Sequence, residues 1–339
     1  MSRNLLILHI TVLIWGFTGI LGNLITVSAT HLVWYRVLIA FVSLFLYFRF
    51  SGQSLAVTRV ELRNFLLTGA LVGGHWLLFF ESIKVSTVSV TLVCLSSVTL
   101  VTSLLEPLFY RRRISGLELV TGLFVIAGIY LIFKFEGQYM KGIILGLICA
   151  VLASLFSIAN SFLIRTSAAS KISFYEMVGA WVWLSVFMLF SGGFNASMKL
   201  DAGDLFYLLL LGTVCTAGAY VAAVMVMKEI SPFRVALASN LEPLYGILLA
   251  WLIFGDSEVM SGGFYLGAVI ILGAVFLYPV FRRRQLRAGG AAAGVTGGAE
   301  GAAGAAGASA AGGAGAIGAA GAAGALAEGP SSAGPKKSV

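Results

Sequence analysis

The residues of this sequence best placed to do chemistry are ionisable and amide side chains inside long apolar stretches. Glu242 is the clearest example, because it stands eight residues after Arg234 within the apolar run 235–254. With a rise of about 1.5 Å per helical residue, its carboxyl lies about 12 Å along a helix that begins at that arginine. An ionisable group so deep in an apolar medium is costly, so we interpret it as a binding or proton-carrying group. The alternative is a buried, protonated carboxyl that bonds a neighbouring helix.

Two neighbours of Glu242 add polar atoms to the same place. Pro243 follows it, and a proline inside a helix removes one backbone hydrogen bond and frees a carbonyl oxygen. Asn240 stands two residues before it. A carboxylate, an amide and a freed carbonyl together predict a site for a cationic or polar solute, or for a proton.

A second group of candidates combines a histidine with aromatic rings. His75 and Trp76 stand near the middle of the apolar stretch 64–83, and Tyr220 stands at a matching position in the stretch 205–227. These side chains are suited to line a cavity and to stack on planar solutes. For His75, the alternative is a packing histidine whose ring nitrogens are satisfied by neighbouring groups.

Three charged residues are weaker or ambiguous candidates. Arg36 stands near the end of an apolar stretch, so it either snorkels to the interface as an anchor or contacts a carboxylate of a bound solute. Glu81, close to Lys84, is expected to be solvated at a membrane boundary. Glu106 precedes Arg111, and a solvated ion pair or a helix-end role is expected there rather than a coupling role.

The elements that must position these residues are membrane-spanning helices. The chain has 339 residues, of which 59% are hydrophobic and 11% charged, whereas soluble domains carry about 25% charged residues. Stretches of roughly 20 apolar residues are long enough to cross a bilayer, and in lipid they must be helical. We place ten such stretches, at 5–25, 32–48, 64–83, 88–109, 117–133, 142–164, 174–190, 205–227, 235–254 and 263–281. The predicted fold is therefore an all-α integral membrane protein with the lipid bilayer as its main solvent.

The charges between these stretches predict the orientation. With a cytoplasmic N-terminus, the inside segments hold 15 lysines and arginines and the outside segments hold 4. The positive-inside rule then puts both termini in the cytoplasm, and we expect the cell's inner membrane as the location. Because the net charge of +8 lies in these connections, it does not indicate a nucleic-acid partner.

Several classes of function find no support in the sequence. Cys94, Cys149 and Cys215 all lie in apolar stretches without CxxC spacing, so we expect packing residues and neither disulfides nor a metal site. Motifs of metalloproteases, P-loop nucleotidases and nucleophile-elbow hydrolases are absent from the sequence. We therefore expect no enzyme, no cofactor and no ATP-driven step within this chain.

The composition changes abruptly after Arg287. Residues 288–339 are almost entirely alanine and glycine with a short Pro/Ser/Lys end. Glycine at this density opposes a helix, and no apolar face exists to bury. We predict a disordered cytoplasmic tail, to which no function is assigned.

An internal repeat organises the ten stretches. Aligning the chain with itself places 85–88 on 230–233, Gly128 on Gly273 and His75 on Tyr220, and a slightly smaller shift places Phe17 on Phe156. The predicted halves are residues 1–137 and 138–287, with five helices each. Because the first stretch has a repeat partner, we expect it to be retained, the alternative being a cleaved signal peptide. Five is odd, so the two repeats must be inverted, which is the architecture of many secondary transporters.

At this point the sequence resembles the EamA-type proteins of the drug/metabolite transporter superfamily. The resemblance is carried by Trp15 and Gly16 in the first stretch, by the segments 35–40 and 230–232, and by the segment 242–258 with its proline and its terminal acid. The first half departs from the pattern, since Val98 stands opposite Pro243 and Arg113 opposite Glu258. The resemblance implies that Trp15 and Asn160 face a central cavity.

The resemblance also implies transport of small metabolites, usually export, without ATP hydrolysis. The function predicted from the sequence is a secondary transporter that exports small-molecule substrates such as amino acids or amines by alternating access, with proton coupling as a possibility. A non-transporting scaffold or a membrane enzyme on the same fold is the alternative. The two readings differ in whether a cavity reaches the middle of the membrane.

Overall fold

Long apolar stretches with polar ends fold as ten helices in the computed structural model, which describes residues 3–111, 114, 116–274, 276–278, 280–282 and 284. The predicted tail 288–339, Arg113 and Arg287 lie outside the described residues. The helices long and apolar enough to span a membrane are α1 Arg3–Leu24, α2 Ala29–Ser51, α3 Arg59–Val85, α4 Val88–Tyr110, α5 Gly116–Phe135, α6 Gly137–Leu163, α7 Ala169–Ser191, α8 Ala202–Val226, α9 Pro232–Glu258 and α10 Gly262–Arg282. No strand occurs among the described residues. The predicted class and number of spans are confirmed.

Three of the helices are irregular near their middle. α4 consists of Val88–Leu95 and Val98–Tyr110, α9 consists of Pro232–Ser239, Leu241–Phe254 and the turn Gly255–Glu258, and α8 contains a π-helical segment, Thr213–Gly218. Polar side chains bond the backbone at the two breaks. The Ser97 hydroxyl donates to the Cys94 carbonyl at 2.7 Å, and the Asn240 amide donates to the Ala236 carbonyl at 2.9 Å. Such bonds compete with the regular helical pattern and so favour a break.

The connections alternate between the two ends of the helix bundle. At one end, Asn4 at the start of α1 donates to Glu229 in the α8–α9 connection at 2.5 Å. At the other end, Lys84 donates to the backbone carbonyl of Ile25. We call these ends the N-terminal face and the opposite face.

Matching contacts relate the two halves. Near the N-terminal face, Ser167 donates to the Glu61 carboxylate in the first turn of α3 at 2.5 Å. Near the opposite face, Thr26 donates to the Asp204 carboxylate in the first turn of α8 at 2.7 Å. The two carboxylates open equivalent helices, and each meets the connection before the second helix of the other half. Equivalent contacts at opposite faces are what inverted repeats produce.

The ends of α4 and α9 cap each other in the same reciprocal way. The Glu258 carboxylate accepts hydrogen bonds from the backbone N–H groups of Val88 and Ser89 at 3.0 and 2.9 Å. The Glu106 carboxylate accepts from the backbone N–H of Phe233 at 3.1 Å. The repeat pairs Val88 with Phe233, and each lies in the first turn of its helix. Each contact supplies an acceptor to a helix N-terminus that would otherwise lack one.

Small residues let the helices of the two halves approach closely. A Cβ atom on Gly69 of α3 would lie 2.4 Å from the Glu176 carbonyl oxygen in α7, and one on Gly212 of α8 would lie 3.1 Å from the Arg36 carbonyl oxygen in α2. In α5 and α10, Gly128 and Gly267 face each other, and a Cβ on either would lie 2.7 Å from the other's carbonyl oxygen. These contacts give the glycines a packing role between the helices.

We predict that Gly69→Ala lowers the stability of the protein, whereas Gly273→Ala does not. The methyl group of the introduced alanine would overlap backbone atoms of α7 and force the two helices apart. This overlap is expected to lower the free energy of unfolding by an amount on the order of 1–3 kcal/mol. Nothing lies within 4 Å of a Cβ at Gly273, and alanine has the higher helix propensity. The unfolding temperature of each purified variant in detergent is the measurement. Equal unfolding temperatures for the two variants would contradict this account of the α3–α7 contact.

Candidate functional site

The two inverted halves, with their broken helices α4 and α9, enclose a cavity near the middle of the bundle. It holds about 850 Å³ of space, including its mouth, and side chains of α1, α2, α3, α4, α6, α8 and α9 line it. Seven of the residues predicted as site candidates are in this lining: Trp15, Arg36, His75, Trp76, Tyr220, Asn240 and Glu242. Towards the N-terminal face the lining continues along Met227 and Val235.

Arg36 is held inside the cavity and does not snorkel. Its side chain is 1% exposed, its Nε donates to the Thr216 hydroxyl at 2.6 Å, and its guanidinium carbon lies 4.1 Å from the centre of the Trp76 ring. Stacking and one hydrogen bond fix the plane of the guanidinium. Its Nη1 has no hydrogen-bond partner among the described residues. The interface-anchor reading of Arg36 is therefore wrong, and a free donor faces the site.

The π-helical segment of α8 positions the partner of Arg36. In this wide turn the Thr216 hydroxyl donates to the Leu211 carbonyl at 2.7 Å, while it accepts from Arg36. A π-helical turn adds a residue to a helix and often marks a functional site. Gly69 in α3 and Gly212 in α8 each pack against the backbone of the other half. Counted from these glycines, Trp76 is seven residues on and Tyr220 is eight, as one inserted residue requires. With this insertion the repeat pairs Tyr220 with Trp76, one residue from the predicted partner His75.

Glu242 and Asn240 present acceptors to the cavity. The Glu242 side chain is 6% exposed, and no described residue hydrogen-bonds its carboxylate, although the Arg36 charge acts on it through space. The Asn240 amide donates to the Thr99 hydroxyl, and the Asn240 Oδ1 has no partner among the described residues. One cationic donor and two sets of acceptor oxygens therefore face the same space.

The aromatic candidates form walls of the cavity. Trp76 and Tyr220 lie 5.7 Å apart between ring centres, and His75 lies 5.2 Å from the ring of Phe156. His75 Nδ1 donates to the Cys149 carbonyl at 3.0 Å, which leaves Nε2 as the acceptor nitrogen. His75 thus combines the packing role with a place in the lining.

Asn160 lies one hydrogen bond away from the cavity, beside a carboxylate that the sequence reasoning missed. The Asn160 amide donates to the Tyr220 hydroxyl at 2.9 Å, and that hydroxyl donates to Glu176 Oε2, also at 2.9 Å. Glu176 is fully buried. It escaped prediction because the seventh stretch was placed at 174–190, which left Glu176 at a boundary, whereas α7 already begins at Ala169.

The repeat also identifies the counterpart of Glu176. Aligning α2 with α7 places Tyr35 and Arg36 on Tyr175 and Glu176. The Tyr35 hydroxyl donates to the Met198 carbonyl at 3.0 Å, and the Tyr175 hydroxyl donates to the Leu55 carbonyl at 2.6 Å. Each tyrosine thus bonds the connection before the third helix of the other half, at opposite faces. A basic residue, Arg36, and an acidic residue, Glu176, therefore occupy equivalent positions in the two halves.

The two weaker candidates lie outside the cavity. Glu81 forms an ion pair with Lys141 at 3.4 Å near the opposite face, and Lys84 contacts Ile25 instead. Glu106 is 9% exposed and bonds the first turn of α9, which is a helix-end role and not a solvated position. Among the described residues, no three His, Cys, Asp or Glu side chains are grouped so that they could hold a metal ion.

We predict that Thr216→Val destabilises the protein by about 1–3 kcal/mol, because it leaves the Arg36 Nε without its acceptor in a buried place. Thr213→Val is the matched control. That hydroxyl lies in the same π segment but is exposed and bonds only the Leu209 carbonyl. Thermal unfolding of both purified variants measures the difference. If Thr216→Val unfolds at the temperature of the control, Thr216 does not hold the guanidinium.

Comparison with known proteins identifies the family in which this arrangement of helices occurs. The EamA-like transporter family model matches the chain twice, over residues 3–134 and 140–278. No curated protein matches it in sequence. Among solved structures, one crystal structure of a protein shares 16% sequence identity with a TM-score of 0.64, covering 84% of this chain and 99% of that chain. At that identity the likeness is one of fold. The two family matches cover nearly all of both five-helix halves, and the chain therefore belongs to the EamA-like transporter family, as a multi-pass membrane transporter of the drug/metabolite type.

Proposed function

We propose that this protein is a secondary transporter that exports small organic solutes such as amino acids or amines. The observation that carries the proposal is the cavity near the middle of the bundle, which both halves line and in which Arg36 and Asn240 keep unpaired polar atoms beside the Glu242 carboxylate. Buried polar groups are normally paired, so free ones in a cavity point to a ligand that pairs them.

The lining defines the class of solute. Arg36 offers a planar donor for a carboxylate, and Glu242 with Asn240 offers acceptors for an ammonium group. Trp15, Trp76 and the other aromatic walls suit an apolar or planar body.

Alternating access follows from the inverted halves and the helix breaks. The contact of Glu258 with Val88 joins α9 to α4 at the opposite face, and the contact of Glu106 with Phe233 joins α4 to α9 at the N-terminal face. Between these contacts, each helix is interrupted next to the cavity. Movement about the breaks would open one face while the other stays joined.

The proposed direction is export from the cytoplasm across the inner membrane. The excess of basic residues in the connections supports cytoplasmic termini. The cavity lining continues towards the N-terminal face, along Met227 and Val235, so that solutes would enter from the cytoplasm.

A screen of the purified protein against amino acids, amines and carboxylic acids tests the proposal. A solute present at about 100 times its dissociation constant raises the stability of the folded state by about 2.7 kcal/mol. We predict that solutes bearing both a carboxylate and an ammonium group stabilise the protein, and that the same solutes cross the membrane of proteoliposomes. A scaffold or membrane enzyme would move none of them, and a transport assay without any flux would overturn the proposal.

Two variants assign the solute groups to side chains. Arg36→Gln is expected to weaken binding of carboxylates, and Glu242→Gln that of amines, each on the order of tenfold to a hundredfold, which corresponds to the roughly 1.5–3 kcal/mol of a charged hydrogen bond. Asp256→Asn is the control, because this carboxylate is exposed at the opposite face. Loss of pH dependence with retained binding in Glu242→Gln would support a proton site there. If neither variant changes binding of any solute that stabilises the protein, the assignment of the two ionic groups fails.

A further inference from the structure

Three pairs of equivalent helices, α1 with α6, α3 with α8 and α4 with α9, contribute to the cavity lining from both halves. Leu95 on α4 lines the cavity together with its counterpart Asn240 on α9, and Thr18 on α1 lines it together with Ser157 on α6. On the pair α2 and α7 only Arg36 reaches the cavity, whereas its counterpart Glu176 is sealed behind Tyr220. Glu176 is thus an ionisable group at a position whose counterpart in the repeat lines the cavity, and it does not line the cavity itself.

The counterparts have equivalent surroundings. Arg36 lies over Trp76 of α3, and Glu176 accepts from Tyr220 of α8, the residue that the repeat pairs with Trp76. The Arg36 backbone packs on Gly212 just as the Glu176 backbone packs on Gly69. The position is therefore the same in both halves, but it carries a basic side chain that reaches the cavity in one half and an acidic side chain that does not in the other.

Glu176 has donors but no cation. Both of its hydrogen bonds, from Tyr220 and from the Asn160 amide at 3.4 Å, reach Oε2, while Oε1 has no partner among the described residues. The other buried charged or titratable groups of the helices packed against α7 are His31 and Arg36 on α2, His75 on α3, Cys149 on α6, and Asp204 and Cys215 on α8. None of them bonds Glu176. A buried carboxylate without a counterion costs several kcal/mol. The sealed group is therefore held as the neutral acid.

We propose that Glu176 is the proton-carrying residue of the transport cycle, sealed and protonated in the state seen here and open to the cavity in the opposite-facing state. The inference rests on the proposed alternating access. In inverted repeats the second state arises when the halves exchange conformations. The exchange brings Glu176 to the place in the cavity that Arg36 now holds, and it seals Arg36.

The chemical step is a proton transfer between Glu176 and water. When the opposite-facing cavity admits water, the O–H bond at Glu176 breaks and the proton passes to that water, leaving a solvated carboxylate. The carboxylate must take up a proton before the protein returns to the state seen here, because sealing it as an anion is costly. High pH thus favours the opposite-facing state and low pH favours the present one.

The accessibility of two equivalent positions distinguishes the present state from the opposite-facing state without any solute. Ser239 lines the present cavity, and its counterpart in the repeat is the native Cys94, which is 1% exposed. Exchange of the halves would bring Cys94 into the lining and remove Ser239 from it. The thiol of Cys94, and that of Ser239→Cys in a Cys94→Ala chain, are therefore matched reporters. Cys149→Ser and Cys215→Ser remove the other two thiols.

The experiment is labelling of each reporter with a maleimide in the full-length detergent-solubilised protein over a pH series. We expect Cys94 labelling to rise several-fold with pH and Ser239→Cys labelling to fall. The fall is diagnostic, because thiols in general react faster as pH rises. Glu176→Gln keeps the acceptor for Tyr220 but carries no exchangeable charge, so we expect it to abolish the opposing changes and to hold both reporters at their low-pH pattern. Asp256→Asn should leave the changes intact.

The outcomes separate this inference from the proposed function. If labelling of Cys94 rises with pH and labelling of Ser239→Cys falls in the Glu176→Gln variant as they do in the parent protein, Glu176 is not the proton site, while alternating access stands. If neither reporter ever changes, alternating access itself fails. Should the serine background not fold, the pH-difference infrared spectrum of the protein with its native cysteines serves as a second measurement. Glu176→Gln must then remove one protonated-carboxyl band, and an unchanged spectrum overturns the proposal.

Discussion

The requirement that every buried backbone group find a partner inside the protein governs this structure. Water is absent from the core of a bilayer, so helix termini and helix breaks near it depend on side chains for their hydrogen bonds. Carboxylates supply many of these bonds, and they come from the other half of the chain. Glu258 serves the start of α4, Glu106 serves the start of α9, and Asp204 bonds the connection before α2. The same contacts that satisfy the backbone therefore join the two repeats.

Joining the halves through helix ends leaves the middle of the bundle free for a cavity. The breaks in α4 and α9 border it, and Asn240 at the second break turns a polar side chain to it. The π segment of α8 acts on the cavity through Thr216, which bonds Arg36 in the lining. The site is chemically asymmetric, although the repeat that builds it is symmetric. Arg36 faces the cavity and Glu176 does not, and this difference gives the two halves distinct roles in the proposed cycle.

Much of the architecture was predictable from particular residues. The ten apolar stretches and the alignment that places Val88 on Phe233 predicted the helices and their repeat, since both depend on local composition. The depth of Glu242 and His75 along their helices made them candidates for a cavity lining, with a bonded buried carboxyl and a packing histidine as the alternatives. Glu176 was missed because its stretch is apolar only from Phe174 onwards, although the pairing of Tyr35 with Tyr175 marks the alignment that identifies it.

By itself, the sequence determined the all-α membrane class, the ten spans and the five-plus-five arrangement, because hydrophobicity and length are properties of each segment alone. Only the tertiary structure decided which polar side chains face one cavity and which are sealed. Arg36 was equally compatible with an interface anchor until Thr216 and Trp76, both distant in sequence, were seen to hold it. The register within α8 was likewise invisible, since a single π-helical turn changes which residue faces the cavity without changing the composition of the helix.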